Sequence, residues 1–218
     1  MSGHMTNLRN EIKFYISGQR YDHTIYVYEE CVKLAALFGL SQEDADKLRV
    51  AALLHDITKE KNTSEQIELM EKFNVPYDGE ALLSPKTLHT LTGAELAKND
   101  FARLVDENIY NAIKYHATGR ENMTLIEKLL HLADYIEKSR KYKNCAKLRK
   151  YFYSELKNSS DPYGTLNDAL IISFDMTLEN LLKHNEYIDI QTIRSRNYLI
   201  MEKTKQGYKS EKRKIKKT

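Results

Sequence analysis

The sequence predicts an all-α protein. Along most of its 218 residues, apolar side chains recur at spacings of three and four, which places them on one face of a helix. Only 8 Gly and 3 Pro interrupt the chain, and no useful stretch shows the alternation typical of a half-buried strand. With 41% hydrophobic and 30% charged residues, a chain of this length can bury a core without disulfides.

Capping residues indicate several helix boundaries. The first predicted helix, 19–38, ends before Gly39, a residue that favours a left-handed cap. Ser41 to Asp44 then resembles a capping box that opens the second helix. The segment 74–87 carries two of the three prolines and predicts a loop. The other predicted helices cover about 41–55, 63–73, 88–99, 106–115, 124–137, 146–156, 163–183 and 192–203.

The chain is predicted to form one domain over residues 1–203 and a basic tail over 204–218. The formal net charge is +3, but the stretch from Lys203 to the end carries eight Lys or Arg residues and one acid. Because this stretch has little apolar content, the tail is predicted to be disordered. Residues 1–5 look partly like the remnant of an expression tag, so His4 is left out of the candidate site.

The composition also narrows the class of protein. The two cysteines, Cys31 and Cys145, are too few and too far apart for a disulfide framework or a zinc ribbon. No apolar run approaches the length that spans a bilayer, and no secretory signal opens the chain. We therefore expect a cytoplasmic location.

The strongest local signal for chemistry is the pair His55 and Asp56. It follows the apolar run 51–54, where a polar side chain is unfavourable unless it has a partner. Neighbouring helical side chains point about 100° apart, so a single ion could hardly use both equally. With two ions, the aspartate can bridge while the histidine binds one of them. For the dipeptide by itself, a capped helix end is the simpler interpretation.

Three further histidines and a second aspartate strengthen the metal interpretation. His23 and Asp134 lie on apolar helical stripes, whereas His89 opens a predicted helix and His116 closes one. Each has a structural interpretation in isolation, as a satisfied core residue or a helix cap. Together, four imidazoles and two carboxylates suit a pair of first-row ions such as iron or manganese, and suit magnesium less well.

Cations near these residues are candidates for phosphate binding. Lys59 is three residues after Asp56, and Arg20 is three residues before His23, so each faces its ligand if the helix is continuous. Such cations can neutralise a chain of phosphates. A surface ion pair is an equally good interpretation of both.

Residues around Asp134 receive different interpretations. His131 is a candidate neighbour of the ligands. Glu137, one turn further on, is interpreted as a solvated or ion-paired residue and not as a ligand. Helix geometry does not place Arg140 on the same face as Asp134.

A family pattern is carried by six segments of the chain: Arg20–Val27, His55–Lys59, Leu88–Glu95, Ala112–Gly119, Ala133–Arg140 and Thr192–Asn197. Together they resemble the HD superfamily of metal-dependent phosphohydrolases. More narrowly, they resemble its YqeK family of symmetrical bis(5'-nucleosyl)-tetraphosphatases. The resemblance covers roughly residues 8 to 203. It departs from the family at Ala117 and Lys138, where threonine and proline are usual.

The resemblance implies an HD-type helical bundle, a di-iron or similar centre, and symmetrical cleavage of diadenosine tetraphosphate into two ADP. Manganese, cobalt or magnesium are the alternative metals. The expected metal ligands are His23, His55, Asp56, His89, His116 and Asp134. Asp56 and Lys59 are expected to be catalytic. The expected substrate contacts are Arg20, Lys59, Thr118, Gly119 and Arg140, and Arg140 rests mainly on the family pattern.

In this interpretation, two ions about 3.5–4 Å apart activate water and polarise the attacked phosphate. One ion is expected to bind His23, His55, Asp56 and Asp134. The other is expected to bind Asp56, His89 and His116, so that Asp56 is shared.

Two other functions remain open from the sequence. The ligand set also fits an HD phosphohydrolase acting on a nucleoside monophosphate, a dNTP or a cyclic dinucleotide. The second is a non-catalytic helical module whose basic tail binds RNA or acidic partners, although no nucleic-acid-binding signature accompanies the tail. The expected partner is a dinucleoside polyphosphate or another nucleotide, without a membrane or nucleic acid, and a homodimer is left open.

Overall fold

Helices make up all the regular structure of the chain that the computed structural model describes, over residues 2–77 and 79–215. No strand occurs in these ranges, so the all-α prediction is confirmed. The helices are α1 Ser2–Glu11, α2 Gly18–Leu37, α3 Gln42–Leu54, α4 Thr63–Lys72, α5 Gly79–Leu83, α6 Leu88–Asp100, α7 Glu107–Tyr115, α8 Leu125–Ile136, α9 Lys143–Asn158, α10 Pro162–Lys183 and α11 Ile190–Ile215. Within the same ranges, no helix is long and apolar enough to cross a membrane.

Helices α2 and α8 lie at the centre of the bundle. Helix α2 packs against α3 and α8, and α8 also contacts α7, α9 and α10. The side chains of Leu34, Leu53, Phe152 and Phe174 are fully buried between these helices. Burying an apolar side chain of this size contributes about 1.5–3 kcal/mol relative to exposure. This packing fixes the ends of α3, α7 and α8, where the candidate site residues lie.

Local capping sets the helix boundaries much as the sequence predicts. Gly39 has a φ of +62°, the left-handed conformation expected after the first predicted helix. The Ser41 side chain accepts a hydrogen bond from the backbone N–H of Asp44 at 3.1 Å and caps α3. At its other end, helix α3 stops at Leu54, and the His55–Asp56 pair begins the turn that follows.

Two regions differ from the prediction. The segment 74–87 is not a plain loop, because it contains α5 and a 3-10 turn at Pro85–Thr87. Pro85 opens that turn, where a missing N–H is harmless. Helix α1 was not predicted, since residues 1–5 look like a tag remnant. Its Leu8 is nonetheless buried in the core.

The last helix is longer than predicted. Helix α11 continues past Lys203 to Ile215, through most of the segment for which the sequence predicts a disordered tail. Lysine, glutamate and glutamine are good helix formers, so a packed first half can extend into the basic part. Leu199 anchors that first half because it is almost fully buried. The division into a domain ending at residue 203 and a tail remains a prediction.

Candidate metal centre

Five helices bring the six predicted metal ligands to one place in the bundle. Helix α2 carries His23, and α8 carries Asp134. His55 and Asp56 follow α3, while His89 lies in the first turn of α6 and His116 caps the end of α7. The rings of consecutive neighbours, His23 with His55, His55 with His116 and His116 with His89, have centroids 5.7, 5.0 and 5.1 Å apart.

The Asp56 carboxylate lies in the middle of this cluster and is 3% exposed. Its Oδ1 is 3.2 Å from Nε2 of His89 and 3.6 Å from Nε2 of His116. Its Oδ2 is 3.4 Å from Nε2 of His55. Burial raises the pKa of Asp56, but the surrounding histidines outweigh burial and hold the pKa well below its usual value. The carboxylate is therefore charged and presents one oxygen to each side of the cluster.

The orientation of His55 and His116 leaves their Nε2 atoms available for coordination. Nδ1 of His55 lies 2.7 Å from the carbonyl oxygen of Ala52, and Nδ1 of His116 lies 2.7 Å from that of Ile113. A carbonyl only accepts, so each Nδ1 carries the proton and donates it. In the neutral ring the Nε2 lone pair then points towards the cluster, as a metal ligand requires.

Unsatisfied polar atoms show that the cluster fits metal ions. The Nε2 atoms of His23 and His55 are buried and have no hydrogen-bond partner among the residues that the structure describes. Oδ1 of Asp134 nevertheless lies 3.0 Å from Nε2 of His23, within ion-pair distance. A buried polar atom without a partner costs about 1–3 kcal/mol. A bound cation would satisfy both atoms.

The potential ligand atoms fall into two overlapping groups, and within each group all lie within 4.8 Å of one another. One group is His23, His55 and Asp134, which agrees with three of the four ligands expected for the first ion. The other is His55, Asp56 and His116. His89 completes this side, since its Nε2 lies 3.2 Å from Nε2 of His116.

The protonation of two ligands depends on their surroundings. Burial lowers the pKa of His89 to about 4, so its ring is neutral near pH 7. Burial also lowers the pKa of His23, but Asp134 and Glu137 outweigh it and raise the pKa to about 9. A metal bound at His23 must therefore displace a proton.

These features match a known family. The family described as HD domain matches residues 20–139. The chain belongs to the HD domain family. The matched segment begins at Arg20 and includes all six clustered residues.

Relatives of this HD-domain protein agree in length and fold. It is 32% identical to proteins named "Bis(5'-nucleosyl)-tetraphosphatase, symmetrical" from Halalkalibacterium halodurans and Bacillus subtilis. The matches cover 88% and 87% of this chain, and 94% of each relative. A crystal structure described as a predicted HD superfamily hydrolase involved in NAD metabolism, from Clostridium acetobutylicum, is 32% identical with a TM-score of 0.78. That match covers 90% of this chain and 97% of the other.

The HD centre is surrounded by the three predicted cations. Arg20 donates to Oδ2 of Asp56 at 2.6 Å, and Arg140 donates to Oδ1 of Asp134 at 2.5 Å. Nζ of Lys59 lies 3.2 Å from Nδ1 of His89 and donates to the carbonyl oxygen of Lys86 at 3.1 Å.

Lys59 and Arg140 lie close to the centre, but neither is placed there by a continuous helix. Lys59 lies in the turn after α3, and its backbone N–H donates to the carbonyl of Asp56, which keeps the two side chains close. Arg140 follows the end of α8 and folds back, so that its Nε donates to the carbonyl oxygen of Asp134 at 2.9 Å. The helical argument against placing Arg140 beside Asp134 is therefore wrong.

The two predicted substrate contacts Thr118 and Gly119 have different surroundings in the structure. Thr118 lines a cavity beside the centre, and its hydroxyl donates to the carbonyl oxygen of Gly119. Gly119 has a φ of +64°, is buried, and donates its N–H to the carbonyl of Tyr115 at 2.7 Å. A Cβ at Gly119 would lie 2.7 Å from the ring of Phe174. Packing against α10 therefore explains this glycine without a phosphate, and its substrate contact remains untested.

Two supporting residues lie just outside the ligands. His131 donates from Nδ1 to the carbonyl oxygen of His116 at 2.7 Å, as expected for a neighbour of the ligands. Glu137 is 0% exposed and pairs with Nδ1 of His23 at 3.2 Å, so of the two interpretations the structure agrees with the ion-paired residue and not with the solvated one. In the sequence Glu137 lies one helical turn after Asp134, but α8 ends at Ile136, so this spacing does not predict its contact with His23.

Two cavities open beside the HD centre and share Arg140 and Tyr142. The first, of about 790 Å³, reaches the centre at His23 and is also lined by Arg20, Lys59 and Tyr26. The second, of about 1280 Å³, reaches it at Asp134 and is also lined by Thr118, Tyr135 and Met176. Each is large enough for a nucleotide-sized ligand.

Proposed function

We propose that this protein hydrolyses diadenosine tetraphosphate symmetrically and releases two molecules of ADP. The observation that carries the proposal is the buried His and Asp cluster, with two Nε2 atoms lacking partners and three cations at its rim. The relatives named as symmetrical tetraphosphatases support the choice of substrate, because the match runs along nearly the whole of each chain.

We infer that two metal ions bind at the centre and that iron suits it best, with manganese, cobalt or magnesium as alternatives. Four imidazoles and two carboxylates are a ligand mixture that first-row transition metals favour. In this assignment Asp56 is shared between the ions because its two oxygens face opposite sides of the cluster. His23, His55 and Asp134 complete one position, and His89 and His116 complete the other.

Bound ions would supply the Lewis acidity that activates water and polarises the attacked phosphate. The chain's own cations would hold the phosphates in place. Arg20 and Arg140 each use part of a guanidinium on a ligand carboxylate and have further N–H groups at the cavity wall. Lys59 adds a third positive charge at the first cavity. These three residues would neutralise the phosphate chain and fix its position relative to the centre.

The two cavities support central cleavage. A dinucleoside tetraphosphate has a nucleoside at each end, and the protein offers two cavities that share Arg140 and Tyr142 in their linings. We propose that each cavity takes one nucleoside, so that the middle of the phosphate chain passes the metal centre. The aromatic side chains of Tyr26 in the first cavity and Tyr135 in the second can pack against a base or ribose.

A substrate panel tests the proposal. Protein purified without added metal is analysed for iron, manganese, cobalt and magnesium, then assayed with diadenosine tetraphosphate, nucleoside monophosphates, dNTPs and cyclic dinucleotides. We expect turnover of the dinucleoside tetraphosphate, loss on chelation, and recovery with added metal. A preference for another nucleotide would assign the centre to a different HD activity. Protein that binds no metal and is inactive towards all of them would reject an enzymatic function.

A further inference from the structure

Glu137 is a buried carboxylate directly behind the metal centre. It caps the end of α8, is 0% exposed, and places Oε1 at 3.2 Å from Nδ1 of His23. On the other edge of the same ring, Nε2 of His23 faces the cluster, 3.0 Å from Oδ1 of the proposed ligand Asp134. The imidazole therefore stands between a carboxylate on one side and the proposed metal position on the other.

The Glu137 carboxylate is fixed by its own neighbours. The Ser139 backbone N–H donates to Oε2 at 2.5 Å, and the Ser139 hydroxyl donates to Oε1 at 2.6 Å. From α9, Arg149 donates to the carbonyl oxygens of Ile136 and Glu137, and to that of Arg140 at 3.2 Å. The guanidinium thus holds the turn after α8 in one conformation. Such a carboxylate is preorganised to accept a proton donor in a defined direction.

His23 differs in this respect from the other clustered histidines. Nδ1 of His55 and of His116 donates to a neutral carbonyl oxygen three residues earlier in the chain. Nδ1 of His89 faces the Lys59 ammonium. Among these four histidines, His23 is the one whose Nδ1 meets a carboxylate. A carboxylate partner at Nδ1 raises the basicity of a ligating imidazole more than a neutral carbonyl does.

We propose that Glu137 is a positioning residue that makes the two metal positions unequal, with the tighter one at His23. It does so by holding the Nδ1–H of His23, which turns the Nε2 lone pair to the metal and strengthens it as a donor. This inference rests on the metal centre of the proposed function. It adds that one ion is retained more firmly and that Glu137, which is not a ligand, sets the difference.

A near-isosteric substitution isolates this role. In Glu137→Gln the side-chain amide must replace one carboxylate oxygen. Its NH₂ group then opposes either the Ser139 N–H or the Nδ1–H of His23, and both of these are donors. The size of the side chain is kept while the hydrogen bond to His23 is weakened or its tautomer is changed. Ser139→Ala is a milder variant, because it keeps the charge of Glu137 and removes one of the two Ser139 contacts.

A matched control is available on α2. Glu30 is also buried, at 3% exposed, and accepts hydrogen bonds from Tyr153 on α9 and from Lys33. It lies two turns from His23 and contacts none of the clustered residues through these bonds. Glu30→Gln therefore reports what the loss of a buried, hydrogen-bonded carboxylate does to the fold alone.

The test is a titration of metal-free full-length protein with Co²⁺, followed by visible absorption and by competition with a chromophoric chelator. For wild type we expect two ions of unequal affinity. Glu137→Gln should weaken the tighter ion by about 10- to 100-fold and shift its absorption, with the weaker ion little changed. Ser139→Ala should give a smaller loss in the same ion, and Glu30→Gln should match wild type. Urea unfolding of each metal-free variant checks the fold.

The outcomes separate the two proposals. Wild type that binds no Co²⁺ would reject the metal centre itself. Two ions in wild type with unchanged affinities in Glu137→Gln would reject the role of Glu137 and leave the centre intact. Equal losses of Co²⁺ affinity in Glu137→Gln and Glu30→Gln would mean that the effect comes from a general loss of stability. That result would also overturn the inference. If Glu137→Gln does not fold, Ser139→Ala decides, and wild-type affinities in that variant count against the inference.

Discussion

Oδ1 of Asp56 lies 3.2 Å from Nε2 of His89, although Asp56 follows α3 and His89 lies in the first turn of α6. The other oxygen of the same carboxylate lies 3.4 Å from Nε2 of His55. One side chain thus contacts both halves of the cluster. No other carboxylate among the described residues occupies this central position, and we therefore propose Asp56 as the bridge between two ions.

Removal of the Asp56 carboxylate should release both metal ions. Asp56→Ala deletes the proposed bridge, so that each metal position keeps only the ligands it does not share. We expect elemental analysis after dialysis to find less than one ion per chain. Asp168→Ala is the control, because Asp168 pairs with Lys203 on the surface, away from the cluster. Full retention of two ions in Asp56→Ala would contradict the bridging role.

Removal of the Lys59 charge should reduce turnover and leave the metal content unchanged. Lys59→Met keeps most of the length of the side chain but cannot neutralise a phosphate. A hydrogen bond to a charged group contributes about 1.5–3 kcal/mol, so turnover should fall about 10- to 100-fold. Lys47→Met is the control, since its ammonium pairs with Glu43 and Asp106 and lines neither cavity. Loss of metal in Lys59→Met would show instead that Lys59 acts through His89.

The helical bundle could be predicted from the sequence because its signals are local. Apolar spacing, the cap at Ser41 and the glycine at position 39 each determine a helix boundary without tertiary contacts. Helix α1 escaped prediction because its burial depends on the distant core that receives Leu8. The extension of α11 shows a similar effect, since a basic segment continues a helix that is anchored at Leu199.

The clustering of the histidines and aspartates could be predicted for a different reason. Histidine and aspartate on apolar helical faces are unfavourable without a partner, so their presence itself indicates a site. Arg140 and Glu137 were harder to place, because both follow the end of α8, where helical periodicity no longer applies. Their positions depend on the turn that Arg149 stabilises, a contact between segments that no local pattern reveals.

Substitution of Gly119 should destabilise the protein more than substitution of Gly39. Both have positive φ, but a Cβ at Gly119 would lie 2.7 Å from Phe174, whereas a Cβ at Gly39 would meet nothing within 4 Å. We expect Gly119→Ala to lower the free energy of unfolding by roughly 2–4 kcal/mol, and Gly39→Ala by about 1–2 kcal/mol. Urea unfolding measures both. Equal losses would mean that packing against Phe174 contributes little.

The stability of the metal-free protein should depend on pH through His131. Burial lowers the pKa of this histidine to about 4 in the folded state, against 6.5 for the free side chain. The unfolded chain therefore binds a proton between pH 6.5 and pH 4 that the folded chain does not. The contribution of neutral His131 to the free energy of unfolding is fully present above pH 6.5. About 3 kcal/mol of this contribution is lost as the pH falls to 4.

The variant His131→Gln isolates this contribution from those of other groups. The difference in unfolding free energy between wild type and the variant should shrink by about 3 kcal/mol from pH 7 to pH 4. A difference that stays constant over this range would show that His131 does not titrate as its burial requires. The measurement uses metal-free protein, so that loss of bound ions does not contribute.

The central claim is that this HD centre cuts a dinucleoside tetraphosphate in the middle of its phosphate chain. Arg140 and Tyr142 line both cavities beside the centre. We propose that the phosphate chain passes the centre between the two cavities, so that it is attacked at its central linkage. Chromatography of the products formed from diadenosine tetraphosphate by the metal-loaded enzyme tests this most directly. We predict ADP as the sole nucleotide product from the first time point. AMP together with ATP would contradict the account, because the substrate would then lie in the site shifted by one phosphate.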